Sequence, residues 1–219
     1  MWQLAWLDVR WRIVLMAVAN SALLLLFLDD AVPGDVWMRR LDALPLVFCM
    51  NAIVLAGAGI PTNVSQRPRA EPHASVLYIL SLPISRRRLV LVREAVGLLA
   101  TWLIVTITLL VVWSAAASLR SDLPVAHFAE YVLCVLAAAA VAFGVSAVFA
   151  TVLDQLWQTY ASLAVVAVVV KALPITRIWR HALRQDGAPW TVTVGLLVAV
   201  VIAAVLAAVS VRIVERKQF

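Results

Sequence analysis

Charged side chains are scarce in this sequence. Only 14% of its 219 residues are Asp, Glu, Lys or Arg, whereas a soluble globular domain carries about 25%. Too few polar residues are therefore present to cover the surface of a water-soluble fold. Hydrophobic residues make up 64% of the chain and fall in long runs, and runs of roughly 18 or more apolar residues are typical of transmembrane helices. The composition excludes a soluble globular domain and indicates an integral membrane protein.

Glycine is also rare, with seven residues in the chain, and no GxxxxGK[ST] sequence occurs. The chain therefore lacks the phosphate loop by which many ATPases bind nucleotide. No HExxH sequence occurs either, and the three histidines lie outside the predicted spans. Gly144 and Ser146 resemble part of a serine-hydrolase elbow, but Val148 replaces its last glycine, so close helix packing is the favoured interpretation. We expect no catalytic site in this chain.

Cysteine is limited to Cys49 and Cys134, each inside an apolar run and without the spacing of metal ligands. A packing role is the expected one for such cysteines. We therefore expect neither a metal site nor a bound cofactor in this chain.

The apolar runs predict an all-α fold with six transmembrane helices. They are continuous and rich in Ala and Leu, whereas a membrane β-barrel needs alternating polar and apolar residues. Trp2, Trp6 and Trp11 suit the membrane–water interface, so we expect an interfacial elbow helix before the first span. No linker divides the chain, and we treat residues 1–219 as a single domain. The predicted spans lie near residues 13–28, 43–60, 86–119, 129–152, 155–173 and 191–214.

Positive charge predicts the orientation of the chain. The net charge is +6, and the densest group of arginines lies between the second and third spans, which places that loop in the cytoplasm. With six spans, both termini are then cytoplasmic and the expected location is the cell membrane, with lipid rather than nucleic acid as the partner of the arginines. The loop between the fifth and sixth spans does not follow this charge rule. It is predicted to face outside, yet it carries Lys171, Arg177, Arg180 and Arg184.

Polar residues near the middle of the spans have two open interpretations. Asn20, Asn51, Thr101 and Thr106 form interhelical contacts in one interpretation and line a translocation path in the other. The two asparagines are the costliest to bury, so we expect each to find a partner on another helix. The spans otherwise look almost free of charge, which argues against a carrier driven by protons or sodium ions.

The most informative stretch is ASVLYILSLPISRRRLVLVRE, residues 74–94. The spacing of residues 75–82 predicts a short helix with a serine-rich face and an apolar face. This helix is too short to span a membrane and suits the cytoplasmic interface. Pro83 interrupts the helical hydrogen bonds, and Ser85 is a candidate N-cap for the next helix. That third helix begins with three arginines and extends about 45 Å over some thirty residues, so its first turns project beyond a hydrocarbon core of about 30 Å.

Within this stretch, LSLPISRRRLVLVRE resembles the segment after the second span of type-2 ABC exporter permeases. The length, the six-span pattern and the basic tail also fit that family. The resemblance implies a permease subunit that pairs with a second permease, identical or different, and translocates substrate by alternating access. ATP and Mg²⁺ would be bound by separate ATP-binding subunits, and this chain would itself be no enzyme. The residues implied in coupling to the ATPase are Ser75, Tyr78, Ser81, Leu82, Pro83, Ser85, Arg86, Arg87 and Arg88.

A second hypothesis stays open at this stage, a membrane scaffold or assembly factor that transports nothing. Such a protein would share the apolar helices but would need no mechanical connection between the arginines and an ATPase. The two hypotheses therefore differ in what the arginines at the start of the third helix do.

Overall fold

The computed structural model describes Arg10, Arg120 and residues 13–22, 34–56, 86–115, 123–153, 155–172 and 189–216. Within these residues it contains six α-helices and no β-strand. The prediction of an all-α fold is confirmed for these parts of the chain. Numbered in chain order, the helices are α1 (Ile13–Ala22), α2 (Gly34–Ala56), α3 (Arg86–Ala115), α4 (Val125–Ala150), α5 (Gln155–Ala172) and α6 (Pro189–Arg216).

Three stretches are long and apolar enough to cross a membrane: Val90–Ser114 in α3, Val125–Ala150 in α4 and Thr193–Ile213 in α6. They confirm the prediction of a membrane protein. Two further helices carry shorter apolar stretches, Ile13–Ala22 and Leu44–Ala56. The other three predicted spans therefore stay predictions. The predicted N-terminal elbow helix, apart from Arg10, lies outside the described residues.

Two helices begin earlier than the sequence predicts. α2 starts at Gly34, whereas the predicted span starts near residue 43, because arginines and aspartates make the first turns too polar to be recognised as membrane-spanning. α4 starts at Val125, and its first hydrogen bond joins the Phe128 N–H to the Pro124 carbonyl at 3.0 Å. His127 therefore lies in the first turn of a candidate membrane helix. The prediction that all three histidines lie outside the spans is wrong.

The bundle is centred on α4, which packs against α2, α3, α5 and α6. Its sequence explains this position, since it is rich in alanine and includes Gly144 and Ser146, and small residues let helix backbones approach closely. At Gly144, an added Cβ would lie 3.0 Å from the Cβ of Leu206 in α6. Glycine therefore permits a closer approach of these two helices than any larger residue.

Buried apolar residues form three clusters that follow one another along the bundle. In the direction from the first cluster towards the third, residue numbers rise along α2, α4 and α6 and fall along α3. This alternation is what successive membrane spans joined by short loops produce. Representative members are Leu41, Leu109 and Tyr131 in the first cluster, Ile53, Val96 and Phe143 in the second, and Val90 and Val211 in the third.

Candidate functional site

The predicted coupling residues fall only partly within the described residues. α3 begins at Arg86, as the sequence predicts, and the side chains of Arg87 and Arg88 are exposed. The apolar stretch of this helix starts only at Val90, so the arginines lie just beyond its apolar part. The coupling residues that lie outside the described residues are Ser75, Tyr78, Ser81, Leu82, Pro83 and Ser85.

The start of α3 lies beside the end of α6. Val90 and Val211 pack together in a buried contact, and one turn further along α3 the hydroxyl of Ser210 donates a hydrogen bond to the carboxyl group of Glu94. Because the two helices are antiparallel, the exposed arginines of both reach the same end of the bundle. We call this surface the arginine end, defined by the exposed side chains of Arg87, Arg88, Arg212 and Arg216.

Glu94 is an acidic residue whose position the sequence analysis missed. It lies inside the apolar stretch Val90–Ser114 and is half-buried, so the expectation that the spans carry almost no charge is wrong here. Ser210 is fully buried, and its hydroxyl also lies 2.9 Å from the Ala207 carbonyl. The signal in the sequence was a pair of adjacent charged residues, Arg93 and Glu94, one turn inside an apolar stretch. The partner of Glu94 is 116 residues away and carries no signal of its own.

Asn20 and Asn51 form a buried polar pair between α1 and α2. The Nδ2 of Asn51 donates to the Oδ1 of Asn20 at 2.9 Å, and the two residues are only 3% and 5% exposed. The prediction that the asparagines find partners on another helix is confirmed. The Nδ2 of Asn20 is buried without an acceptor among the described residues. The pair thus links two helices, while a role in a translocation path stays a prediction.

Thr101 and Thr106, which the sequence groups with these asparagines as candidates for a translocation path, both lie on α3. Thr101 is fully buried, and its hydroxyl donates to the Gly97 carbonyl one turn earlier at 2.8 Å, so its proton is used within its own helix. An added Cβ at Gly97 would lie 2.8 Å from the ring of Phe143 in α4. Thr101 is therefore enclosed close to where α3 packs tightly on α4. Thr106, further along α3, is half-buried.

A proline in α2 leaves one backbone carbonyl without its usual hydrogen-bond donor, and a tyrosine distant in the sequence supplies one. Pro45 lies inside the helix and lacks the N–H that would bond the Leu41 carbonyl one turn earlier. The hydroxyl of Tyr131 in α4 donates to that carbonyl at 2.6 Å, and both residues are fully buried. Tyr131 therefore supplies the missing hydrogen-bond donor at a buried position where no water is available to replace it. The sequence shows the proline but does not show which residue compensates for it.

The other end of α2 is held in a similar way. The hydroxyl of Ser146 in α4 donates to the Ile53 carbonyl at 3.1 Å. With the close contact at Gly144, this bond confirms that the small residues of α4 serve helix packing. Tyr131 and Ser146 thus join α4 to α2 at two levels of the bundle.

Within the part of the chain that the structure describes, no three His, Cys, Asp or Glu side chains lie close enough to hold a metal ion. His127 and Glu130 approach each other on successive turns of α4, with 3.7 Å between Nδ1 and Oε2. This pair lies at the start of α4, beside the first cluster and away from the arginine end. Among the described residues, polar contacts that join one helix to another are those of Asn20 with Asn51, of Tyr131 and Ser146 with α2, and of Ser210 with Glu94.

The fold and these contacts define the class of protein, a helical membrane protein whose spans are joined by a few buried polar contacts. No family model, no curated protein and no solved structure matches this chain. The resemblance of residues 80–94 to exporter permeases therefore supports a proposal of function and does not assign a family.

Proposed function

We propose that this chain is the permease subunit of an ATP-driven ABC exporter in the cell membrane. It pairs with a second permease, and each permease engages a separate ATP-binding subunit that holds ATP and Mg²⁺. The observation that carries the proposal is the arginine end. There the second part of the motif LSLPISRRRLVLVRE, residues 86–94, forms the start of α3, and α3 is joined to α6 through Glu94 and Ser210.

The distribution of charge orients this surface. Positive residues beside membrane spans are retained in the cytoplasm, and the arginines of α3 and α6 lie at one end although they come from distant parts of the sequence. In the proposed topology all six helices cross the membrane, and both termini are cytoplasmic. Residues 75–82 then form a coupling helix on the same side, where a cytoplasmic ATP-binding subunit meets it.

Force applied at the start of α3 has a short route into the bundle. We expect α3 and α6 to move together at this end, because Val90 packs on Val211 and Ser210 donates to Glu94. Further along, α3 packs on α4 where Phe143 covers Gly97, and α4 is bonded to α2. Closure of the ATP-binding subunits therefore displaces a connected set of helices, and rearrangement of packed helices of this kind is what alternating access needs.

The experiment begins with a search of the neighbouring genes for an ATP-binding subunit, which is then co-expressed with the full chain. We expect a stable complex that hydrolyses ATP, and we expect replacement of Arg86, Arg87 and Arg88 by alanine to lower its turnover at least about tenfold. Arg120→Ala is the matched control, because this exposed arginine lies at the opposite end of the bundle. Recovery of a stable monomer that binds no ATPase would overturn the proposal, and so would an arginine end labelled from outside the cell.

The scaffold hypothesis predicts a different result in the same experiment. A scaffold transmits no force, so the triple alanine variant would leave the turnover of any associated ATPase unchanged. Thermal unfolding of the variant in detergent is the check that it is folded, and the comparison applies to a variant that unfolds at the temperature of the native chain. Unchanged turnover in a folded variant would favour the scaffold over the transporter.

A further inference from the structure

The arginine end carries a pattern that force transmission does not require. On α6, the side chains of Val205, Val209, Arg212 and Arg216 are all exposed. They recur at steps of three or four residues, which places them along one stripe of the helix. The stripe is apolar along most of the membrane-spanning part and becomes cationic at its end, where Arg212 precedes Ile213 and Arg216 follows it.

A second stripe of the same kind lies on α3. Leu99, Leu91 and Arg88 are exposed and lie along one face of the helix, and the order from apolar to cationic again follows the approach to the bundle end. The two helices are packed together at Val90 and Val211, so both stripes end at the same level. Two helices distant in sequence thus present the same arrangement of side chains to the surroundings.

The depth of the arginines matches that of lipid phosphates. Val90 and Ile213 mark the ends of the two apolar stretches, and Arg88 and Arg216 lie about 3–4.5 Å beyond them along the helix axes. The headgroup layer of a bilayer is about 5–7 Å thick on each side of the hydrocarbon core. The backbone of Arg88 and of Arg216 therefore lies within the layer that contains the phosphates, and Arg212 lies one residue inside the apolar stretch, at its edge.

The positive charge of the arginine end and the exposed apolar residues beside it together indicate its partner. A guanidinium group binds phosphate oxygens with paired hydrogen bonds. The carboxylates described at this end are the exposed Glu215 on α6 and the half-buried Glu94 on α3, and the four arginines outnumber them. The exposed leucines and valines next to the arginines require acyl chains, which an acidic protein surface would not provide. We propose that the arginine end binds the phosphate groups of anionic phospholipids, whose acyl chains pack along the exposed apolar residues of α3 and α6.

The test is a lipid titration of the purified full chain in detergent. Phosphatidylglycerol and phosphatidylcholine are added separately, and bound lipid is counted by native mass spectrometry while thermal unfolding reports stabilisation. We expect half-saturation with phosphatidylglycerol at a concentration at least tenfold lower than with phosphatidylcholine. Combining Arg212→Gln with Arg216→Gln should weaken binding of phosphatidylglycerol about fivefold for each arginine and leave phosphatidylcholine unaffected.

Three controls give every outcome a meaning. Arg120→Gln removes an exposed arginine at the opposite end and should leave the preference intact. Arg212→Lys with Arg216→Lys keeps the charge and should retain most of the preference, which separates binding from misfolding. Sodium phosphate at millimolar concentration should not displace the lipid. Equal binding of the two lipids, an equal loss in Arg120→Gln, or displacement by free phosphate would each overturn the proposal. No ATP-binding subunit is present in this assay, so its failure leaves the proposed function untouched.

Discussion

α4 and α6 contain apolar stretches of similar length, yet they occupy different surroundings. In α4, 50% of the residues in the most apolar part are buried within the protein, compared with 11% in α6. α4 packs on four other helices, whereas α6 packs along one side on α3 and α4. Lipid tails are as apolar as a protein core, so hydropathy alone does not distinguish a helix enclosed by protein from one that faces lipid.

The largest expected effect compares a side chain in the interior of α4 with one on the exposed side of α6. Phe143 is 5% exposed and packs in the second cluster, while Leu197 is 62% exposed. We expect Phe143→Ala to lower the free energy of unfolding by about 3 kcal/mol and Leu197→Ala to change it by less than about 0.5 kcal/mol. Denaturant titration of the detergent-solubilised protein measures both. Equal losses would mean that Leu197 is covered by another protein surface, such as that of the proposed second permease.

The close approach of α4 and α6 gives the next effect. Gly144→Val places methyl groups where Leu206 already lies within 3.0 Å of an added Cβ. We expect this overpacking to cost about 1–3 kcal/mol, measured by the same titration. Ala204→Val on the exposed side of α6 is the control and should be nearly neutral. A neutral Gly144→Val would show that α6 moves away from α4 without cost.

The hydrogen bond from Tyr131 supports a double-mutant cycle. Tyr131→Phe removes the donor to the Leu41 carbonyl, and we expect a loss of about 0.6–1.7 kcal/mol in the free energy of unfolding. Pro45→Ala restores an N–H that reaches the same carbonyl within α2. Tyr131→Phe should therefore cost less in the Pro45→Ala background than in the native chain. Identical costs in both backgrounds would contradict the role assigned to Tyr131.

The smallest expected effect is at the contact between α6 and α3. Ser210→Ala removes the hydroxyl that bonds Glu94, and we expect a loss of about 0.6 kcal/mol. Ser114→Ala is the matched control, because that exposed hydroxyl bonds only the Val111 carbonyl of its own helix in the described structure. Hydrogen exchange at the start of α3 should increase in Ser210→Ala alone. Equal exchange in both variants would remove this contact from the proposed route of force.

Helix positions were predictable where composition changes sharply. The predicted fifth span, residues 155–173, corresponds to α5 at Gln155–Ala172, and α3 begins at Arg86 as expected. The prediction failed at the starts of α2 and α4, where the helix continues past the apolar residues. Helical hydrogen bonds extend a helix without regard to hydropathy, so a search for apolar runs finds the membrane-spanning part and misses the polar turns before it.

The sequence by itself determined that this chain enters a membrane, because its few charged residues cannot cover a water-soluble surface. It also determined that arginines stand at the start of the third predicted span and at the end of the sixth. Only the tertiary structure decided that α4 is enclosed, that Tyr131 bonds the carbonyl of Leu41 and that Glu94 meets Ser210. The physical reason is that partners about a hundred residues apart are chosen by how helices pack, and helical periodicity carries no information about which faces will meet.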